Sequence, residues 1–253
     1  MNYVEHGVGR PLVALHGWTL DHRAQEASLE PLFGDRPGWR RIYPDLPGHG
    51  RTPAPAWVRT HEDMCDALIA FVHTVAPDEY ICAAGLSYGA ALVQTLVERQ
   101  GDQIGGVLLA APPTDDPSLP EFAVRRNDAR FVAALTPEEQ HQLNFVVWQS
   151  PHVLEEIRRR FDAAAALCDR DFVERLGWGG HLQQLAEPFQ GPALIVTGRF
   201  DHWCGYRRMF ELLDDYPLAT YAVLDGAGHG LTIEREALYH ALVNDWLERL
   251  EDL

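Results

Sequence analysis

An α/β fold is predicted by three features of this 253-residue chain. It should hold a mainly parallel, doubly wound sheet flanked by helices and interrupted by an all-helical insertion. First, short apolar runs alternate with amphipathic stretches near both ends of the chain, the rhythm of a sheet covered on both faces. Second, the middle of the chain is strand-poor and helical in pattern. Third, turn residues and chemically capable side chains follow directly on the apolar runs. These features predict a core formed by residues 1–112 and 189–253, with residues 113–188 as a helical cap.

Leu12-Val13-Ala14-Leu15, bounded by Pro11 and His16-Gly17, reads as a buried strand. Arg40 to Asp45 fits a second, closed by the turn-rich Leu46-Pro47-Gly48-His49-Gly50. Thr60 to Thr74 carries Met64, Ala67, Leu68, Phe71 and Val72 at helical spacing, with Thr60 and Asp63 as its start signal. Tyr80 to Ala84 is a strand, Ala90 to Arg99 a helix and Gly106 to Ala110 a strand. Past Pro112-Pro113 the pattern predicts helices over Glu121–Ala134, Pro137–Val147, Pro151–Leu167 and Arg170–Leu176. Strands return at Ala193–Thr197 and Ala219–Leu224, and a last helix is expected over Glu234–Leu250.

The composition is that of a soluble globular protein, 46% hydrophobic and 23% charged. A formal charge of -16 argues against nucleic-acid partners, which need Lys and Arg, and disfavours anionic membrane surfaces. No apolar stretch is long enough to cross a bilayer. Met1 to His6 has neither a basic nor an apolar stretch, so no secretory leader is expected and the cytoplasm is the expected address. Cys65, Cys82, Cys168 and Cys204 are scattered without CxxC spacing and read as reduced thiols. Neither H-E-x-x-H nor a His-Cys cluster at ligand spacing occurs, so no metal is expected; no dinucleotide fingerprint occurs, and no cofactor is expected.

Gly85-Leu86-Ser87-Tyr88-Gly89 is G-x-S-x-G with a strand before it and a helix after it. A tight strand-to-helix turn strains its central residue and needs neighbours without side chains. In return it exposes a hydroxyl at a helix N-terminus, where a developing anion is favoured. A serine hydroxyl also needs a base, and the base a group to hold it. His229, in Gly226-Ala227-Gly228-His229-Gly230, and Asp201, after Gly198-Arg199-Phe200, each follow a strand and can reach the same sheet edge. Ser87, Asp201 and His229 are therefore the expected catalytic residues. Asp45 and His49 read as loop organisers. The backbone N–H groups of Trp18 and Tyr88 are the expected oxyanion donors. Trp18, Trp148 and Trp178 are the candidate substrate contacts. Arg158-Arg159-Arg160 reads as a solvated helix face, and Trp178-Gly179-Gly180 as a hinge or turn.

His16-Gly17, Asp45 to Gly50, Gly85 to Gly89, Gly198 to Asp201 and Gly226 to His229 together resemble the α/β-hydrolase superfamily, over nearly the whole chain. Ala90 is a departure, since relatives often carry glycine there. The resemblance is to small, cofactor-free serine esterases with a helical cap. It implies hydrolysis of carboxylic esters or lactones; the aromatic residues of the insertion point to small to medium, hydrophobic substrates, and a monomer or homodimer is expected. The serine at the elbow distinguishes the chain from dehalogenases and epoxide hydrolases of this fold, which use aspartate. Rival readings on the same fold are hydrolysis of a carbon–carbon bond in a vinylogous diketone and a menaquinone-synthase-like elimination. A ring-opening dioxygenase is suggested by His16-Gly17-Trp18 and Asp21-His22-Arg23, and a non-enzymatic receptor is the last rival.

Overall fold

The computed structural model describes residues 1–116, 118–177 and 184–253. Nine strands occur among them: β1 Tyr3–His6, β2 Arg10–Leu15, β3 Trp39–Pro44, β4 Ile81–Leu86, β5 Ile104–Ala110, β6 Arg126–Asn127, β7 Trp148–Gln149, β8 Ala193–Gly198 and β9 Ala219–Leu224. Helices α1 His22–Leu29, α2 His61–Val75 and α3 Tyr88–Gln100 belong to the first half. The segment between β5 and β8 holds α4 Ala129–Ala134, α5 Pro137–Gln142, α6 Pro151–Ile157, α7 Ala163–Ala165 and α8 Arg170–Leu176. The chain ends with α9 Leu212–Asp215, α10 Leu231–Glu234 and α11 Glu236–Glu251.

Seven strands form one sheet in the order β1-β3-β2-β4-β5-β8-β9. Only β1 runs antiparallel, against β3; every other pairing is parallel. Alternation along the buried strands sends side chains to two cores. Val13, Leu15, Ala83 and Ile195 face a layer with Met64 and Leu68 of α2 and Val93 and Leu96 of α3. Leu12, Ala14, Cys82 and Val196 face the other, with Leu29 of α1 and Val243, Trp246 and Leu247 of α11. A strand buried on both faces has no polar alternation, and that is why these runs read as continuous apolar sequence. The expected doubly wound sheet is present, and Thr60 and Asp63 form the reciprocal cap that opens α2.

Chain order reverses beside β2, with β3 on one side and β4 on the other. The carboxyl ends of β2 and β4 therefore border the crevice in which open α/β sheets receive ligands. Leu15 pairs with Gly85 across it, bringing Gly17-Trp18 beside Ser87.

Between β5 and β8 the chain departs from expectation. It is not all-helical, because β6 and β7 make a short parallel ladder. The helix expected over Glu121–Ala134 is confined to α4, where Asp128 accepts from the Arg130 and Phe131 amides. The helix expected over Pro151–Leu167 passes through a π-helical turn at Arg158–Asp162. Arg160 lies within that turn and is 2% exposed, unlike the solvated face expected for the arginine run. Its guanidinium bonds Glu156 at 2.8 Å and Glu236 of α11 at 2.6 Å, and reaches Ser28 Oγ of α1 at 3.3 Å. The last helix also breaks, at Arg235, so that Glu234 ends α10 and Glu236 starts α11. Leu143, Val146, Val153, Leu154 and Ile157 form a separate apolar cluster joined by Ile233 of α10.

Candidate active site

Ser87 sits between β4 and α3 at φ 53°, ψ −117°, a region that side-chain-bearing residues seldom occupy. Its amide bonds Ala110 O at 2.8 Å. A Cβ on Gly85 would lie 2.3 Å from Gly89 O, and one on Gly89 would lie 2.3 Å from Leu15 O. The turn therefore closes only with glycine at both positions, which is the physical content of the motif.

Three residues from separate strand ends meet here. His229 Nε2 lies 3.0 Å from Ser87 Oγ, and His229 Nδ1 lies 2.8 Å from Asp201 Oδ2. Asp201 is fully buried, and its Oδ1 accepts the Trp203 and Cys204 amides at 2.9 Å each. Burial by itself would lower the pKa of the His229 imidazole, but the Asp201 carboxylate outweighs it and holds the ring well above its ordinary value. Cys204 packs against the pair; burial raises its own pKa, so at neutral pH it is a thiol and adds no charge. The arrangement can accept a proton from the hydroxyl and stabilise the resulting imidazolium.

The loop after β2 faces Ser87. A Cβ on Gly17 would lie 3.5 Å from Ser87 Cβ, so the backbone leading into Trp18 borders the hydroxyl. Two buried histidines hold this loop. His16 Nδ1–H donates to Gly17 O at 2.8 Å while Nε2 accepts the Leu46 amide at 3.0 Å. His49 Nδ1–H donates to Pro47 O at 2.9 Å, and its Nε2 accepts the Thr19 amide at 3.3 Å. These backbone partners assign both rings as neutral. Burial, reinforced for His16 by His49, lowers both pKa values, that of His16 to about 3. Asp45, buried beneath, accepts from His22 N, His22 Nδ1, Arg51 N and Asn2 Nδ2. Burial opposes its charge, but these donors hold the carboxyl well below the usual range. Asp45 and His49 are thus loop organisers, as expected, and His16 is a third.

A cavity of about 800 Å³ opens over Ser87 and His229, a volume suited to a small organic molecule. Trp18 lines it, its ring 4.8 Å from that of Tyr88. Trp148, an expected contact, is not among the lining residues; its ring packs under the Arg126 guanidinium at 4.4 Å. Trp178 lies outside the described residues. The apolar wall instead comes from Phe145, Ile157, Phe161 and Trp203. Trp203 packs at a tilt against His229 with centroids 4.9 Å apart and against Phe145 at 5.6 Å. Its position two residues after Asp201 is the one available sequence signal.

Two clusters among the described residues have the donor types for a metal: Asp201, Cys204 and His229, and Asp21, His22 and Asp45. In each, a histidine nitrogen and a carboxylate oxygen already bond one another.

A family model described as serine aminopeptidase, S33, matches residues 12–236. The chain belongs to this α/β-hydrolase family. The AB hydrolase superfamily protein YisY of Bacillus subtilis (strain 168) is 30% identical over 94% of this chain and 91% of its own length. Among solved structures, an alpha/beta superfamily hydrolase from Oenococcus oeni PSU-1 superposes with a TM-score of 0.81 at 22% identity, covering 98% of this chain and 96% of the other. A thermophilic esterase from Thermogutta terrifontis superposes with a TM-score of 0.71 at 24% identity, covering 98% and 93%. At such identities the two structures share the fold with this hydrolase. No helix among the described residues is long and apolar enough to cross a membrane.

Proposed function

We propose that this α/β-hydrolase cleaves carboxylic esters or lactones of small to medium, hydrophobic substrates through an acyl-enzyme on Ser87. The observation that carries the reading is the unbroken hydrogen-bond chain from Ser87 through His229 to Asp201, with Ser87 held at φ 53°. Ser87 Oγ attacks the acyl carbon as His229 Nε2 takes the hydroxyl proton. The carbonyl electron pair moves to oxygen beside the Trp18 and Tyr88 amides, the proposed oxyanion donors. Collapse returns the pair, breaks the carbon–oxygen bond, and His229 passes its proton to the leaving alcohol. Water, deprotonated by the same ring, then releases the acid and restores Ser87.

The residues between β5 and β8 act in this reading as the cap, and their aromatic lining favours apolar acyl groups. An aminopeptidase reading would require recognition of a substrate ammonium. Among the described residues the cavity lining has one acidic side chain, Asp162, and both its oxygens accept from Gln142 Nε2 at 3.1 Å. That supports the ester.

The test is a panel of nitrophenyl esters of two to eight carbons, lactones, a coloured dienone and an aminoacyl nitroanilide, assayed with wild type and Ser87→Ala. Ester or lactone turnover is expected to dominate and to fall at least about 10³-fold in kcat for the variant. Preferential bleaching of the dienone would replace the reading with carbon–carbon hydrolysis. Near-normal turnover by Ser87→Ala would leave His229 and Asp201 as a base without covalent catalysis.

A further inference from the structure

We propose that Glu234 is a positioning residue that clasps the β5–β8 segment onto the loop carrying His229, and so sets the place of that ring over Ser87. The proposal rests on the hydrolase reading above, and its test keeps the two separable.

Glu234 is the last residue of α10 and is 7% exposed. Its Oε1 accepts two amides from the β5–β8 segment, Val147 at 2.6 Å and Trp148 at 2.8 Å. Its Oε2 accepts the Gly228 amide at 2.7 Å, one residue before His229. One carboxylate therefore joins two parts of the chain that meet only by tertiary folding. The seam is tight on both sides. The His229 amide donates to Phe145 O at 3.0 Å. A Cβ on Gly228 would lie 2.7 Å from Phe145 O, and one on Gly230 would lie 2.5 Å from Val146 Cγ1. Phe145 and Trp203, which wall the cavity, pack against each other and Trp203 against His229. Moving this seam moves the cavity wall and the base together.

Three N–H donors meet two oxygens, which suits an ionised carboxylate. A neutral acid carries its proton on an oxygen that already faces an amide N–H, so donor meets donor and protonation opens part of the clasp. Among the described residues no cation bonds the group. Arg160 reaches Glu156, Glu236, Ser28 and Thr232 O, Arg235 reaches Asp225 O, and Arg126 lies over the Trp148 ring. Asp201 and His229 are the titratable groups on the core side. Burial raises the Glu234 pKa to about 7, with Asp201 adding to the rise and the three amides opposing it. Clasp closure thus increases as pH rises through neutrality. The stability contribution runs the other way, because a carboxyl with a raised folded-state pKa favours folding less as pH climbs from about 4.5 to about 7.

Glu234→Gln is nearly isosteric and mimics the protonated acid at every pH. At pH 8 it is expected to lower kcat/KM on a short-chain ester about 10-fold or more, mainly in kcat. Hydrogen-exchange protection of the Val147, Trp148 and Gly228 amides should fall about 10-fold, with β8 amides unchanged. Between pH 8 and 5.5 wild type should lose about 10-fold more activity than the variant, since the variant has already lost the clasp. Glu234→Asp keeps the charge but is one methylene too short to span both sides; an intermediate loss with the wild-type pH response retained is expected, and it carries the test if the glutamine variant does not fold. Wild-type kcat, KM and pH profile in folded Glu234→Gln would overturn the proposal, as would unchanged protection of the three amides. If wild type turns over no ester, the hydrolase reading fails, and the exchange measurement still decides the clasp.

Discussion

At the carboxyl edge of the sheet, Ser87, Asp201 and His229 follow their strands by one, three and five residues. Each is placed by a short turn whose backbone is dictated locally. In the β5–β8 segment no comparable rule holds. Its helices are short and interrupted, and two of its features, the β6–β7 ladder and the buried Arg160, depend on partners far along the chain. The difference separates two kinds of information: chemistry encoded by local backbone demands, and shape encoded by docking. Substitutions in each region should therefore fail in different ways.

The largest effect should come from the sheet edge. Asp201→Asn removes the charge behind His229 and is expected to lower kcat on the order of 10⁴-fold. The sign of the pH change follows from the raised imidazole. In wild type the acid limb of kcat/KM is expected above the ordinary histidine value, because Asp201 favours the imidazolium. In the variant the Asp201 contribution is gone, burial is opposed only by Cys204, and the limb should move down. The His229–Asp201 pair stabilises the folded state fully below 6.5 and less as pH rises through the folded-state pKa. The difference in Tm between wild type and variant should accordingly shrink on the alkaline side. A limb that stays in place would mean another group raises the ring.

Arg160→Met tests the docking side. The cation links Glu156, α1 and α11, and its loss should cost about 1–2 kcal/mol. That is less than the 3–5 kcal/mol of a fully enclosed pair, because Glu236 is partly exposed and can rehydrate. Urea unfolding should show the loss as a lower midpoint with the slope unchanged. A neutral result would mean the buried arginine contributes specificity rather than stability.

The smallest effects distinguish two aromatics three residues apart. Phe145→Ala should raise KM for an eight-carbon acyl ester several-fold while changing the acetate ester little, because Phe145 walls the cavity. Trp148→Ala should leave both KM values within roughly two-fold, its ring being under Arg126 rather than over the cavity. Equal responses would remove the distinction between them.

Much of the core was legible in the amino-acid order. Both-face burial turns β2, β4, β5 and β8 into apolar runs, and the capping pair Thr60 and Asp63 marks the start of α2. By contrast, β1 was not expected: it is an edge strand alternating exposed and half-buried residues, with no apolar run to announce it. Gly85 and Gly89 were readable because a side chain there would meet backbone at 2.3 Å, a constraint the motif carries wherever it occurs. His16 and Cys204 were present in the sequence but not assigned to the site, since their roles depend on Leu46 and on His229 respectively.

The amino-acid order alone specified the chemistry on offer: a strained serine between glycines, with a histidine and an aspartate each just past a strand. Those features arise largely from local backbone sterics, such as the approach of Gly85 to Gly89 O, and the β2 carbonyl of Leu15 completes the constraint at Gly89. Which aromatic rings wall the cavity, why one arginine of three is buried, and what Glu234 holds all required the three-dimensional assembly. The Glu234 contact to Val147 spans 87 positions and the Arg160 contact to Ser28 spans 132. Such pairings are decided by the shape in which two surfaces meet, and neither partner carries a local pattern that names the other.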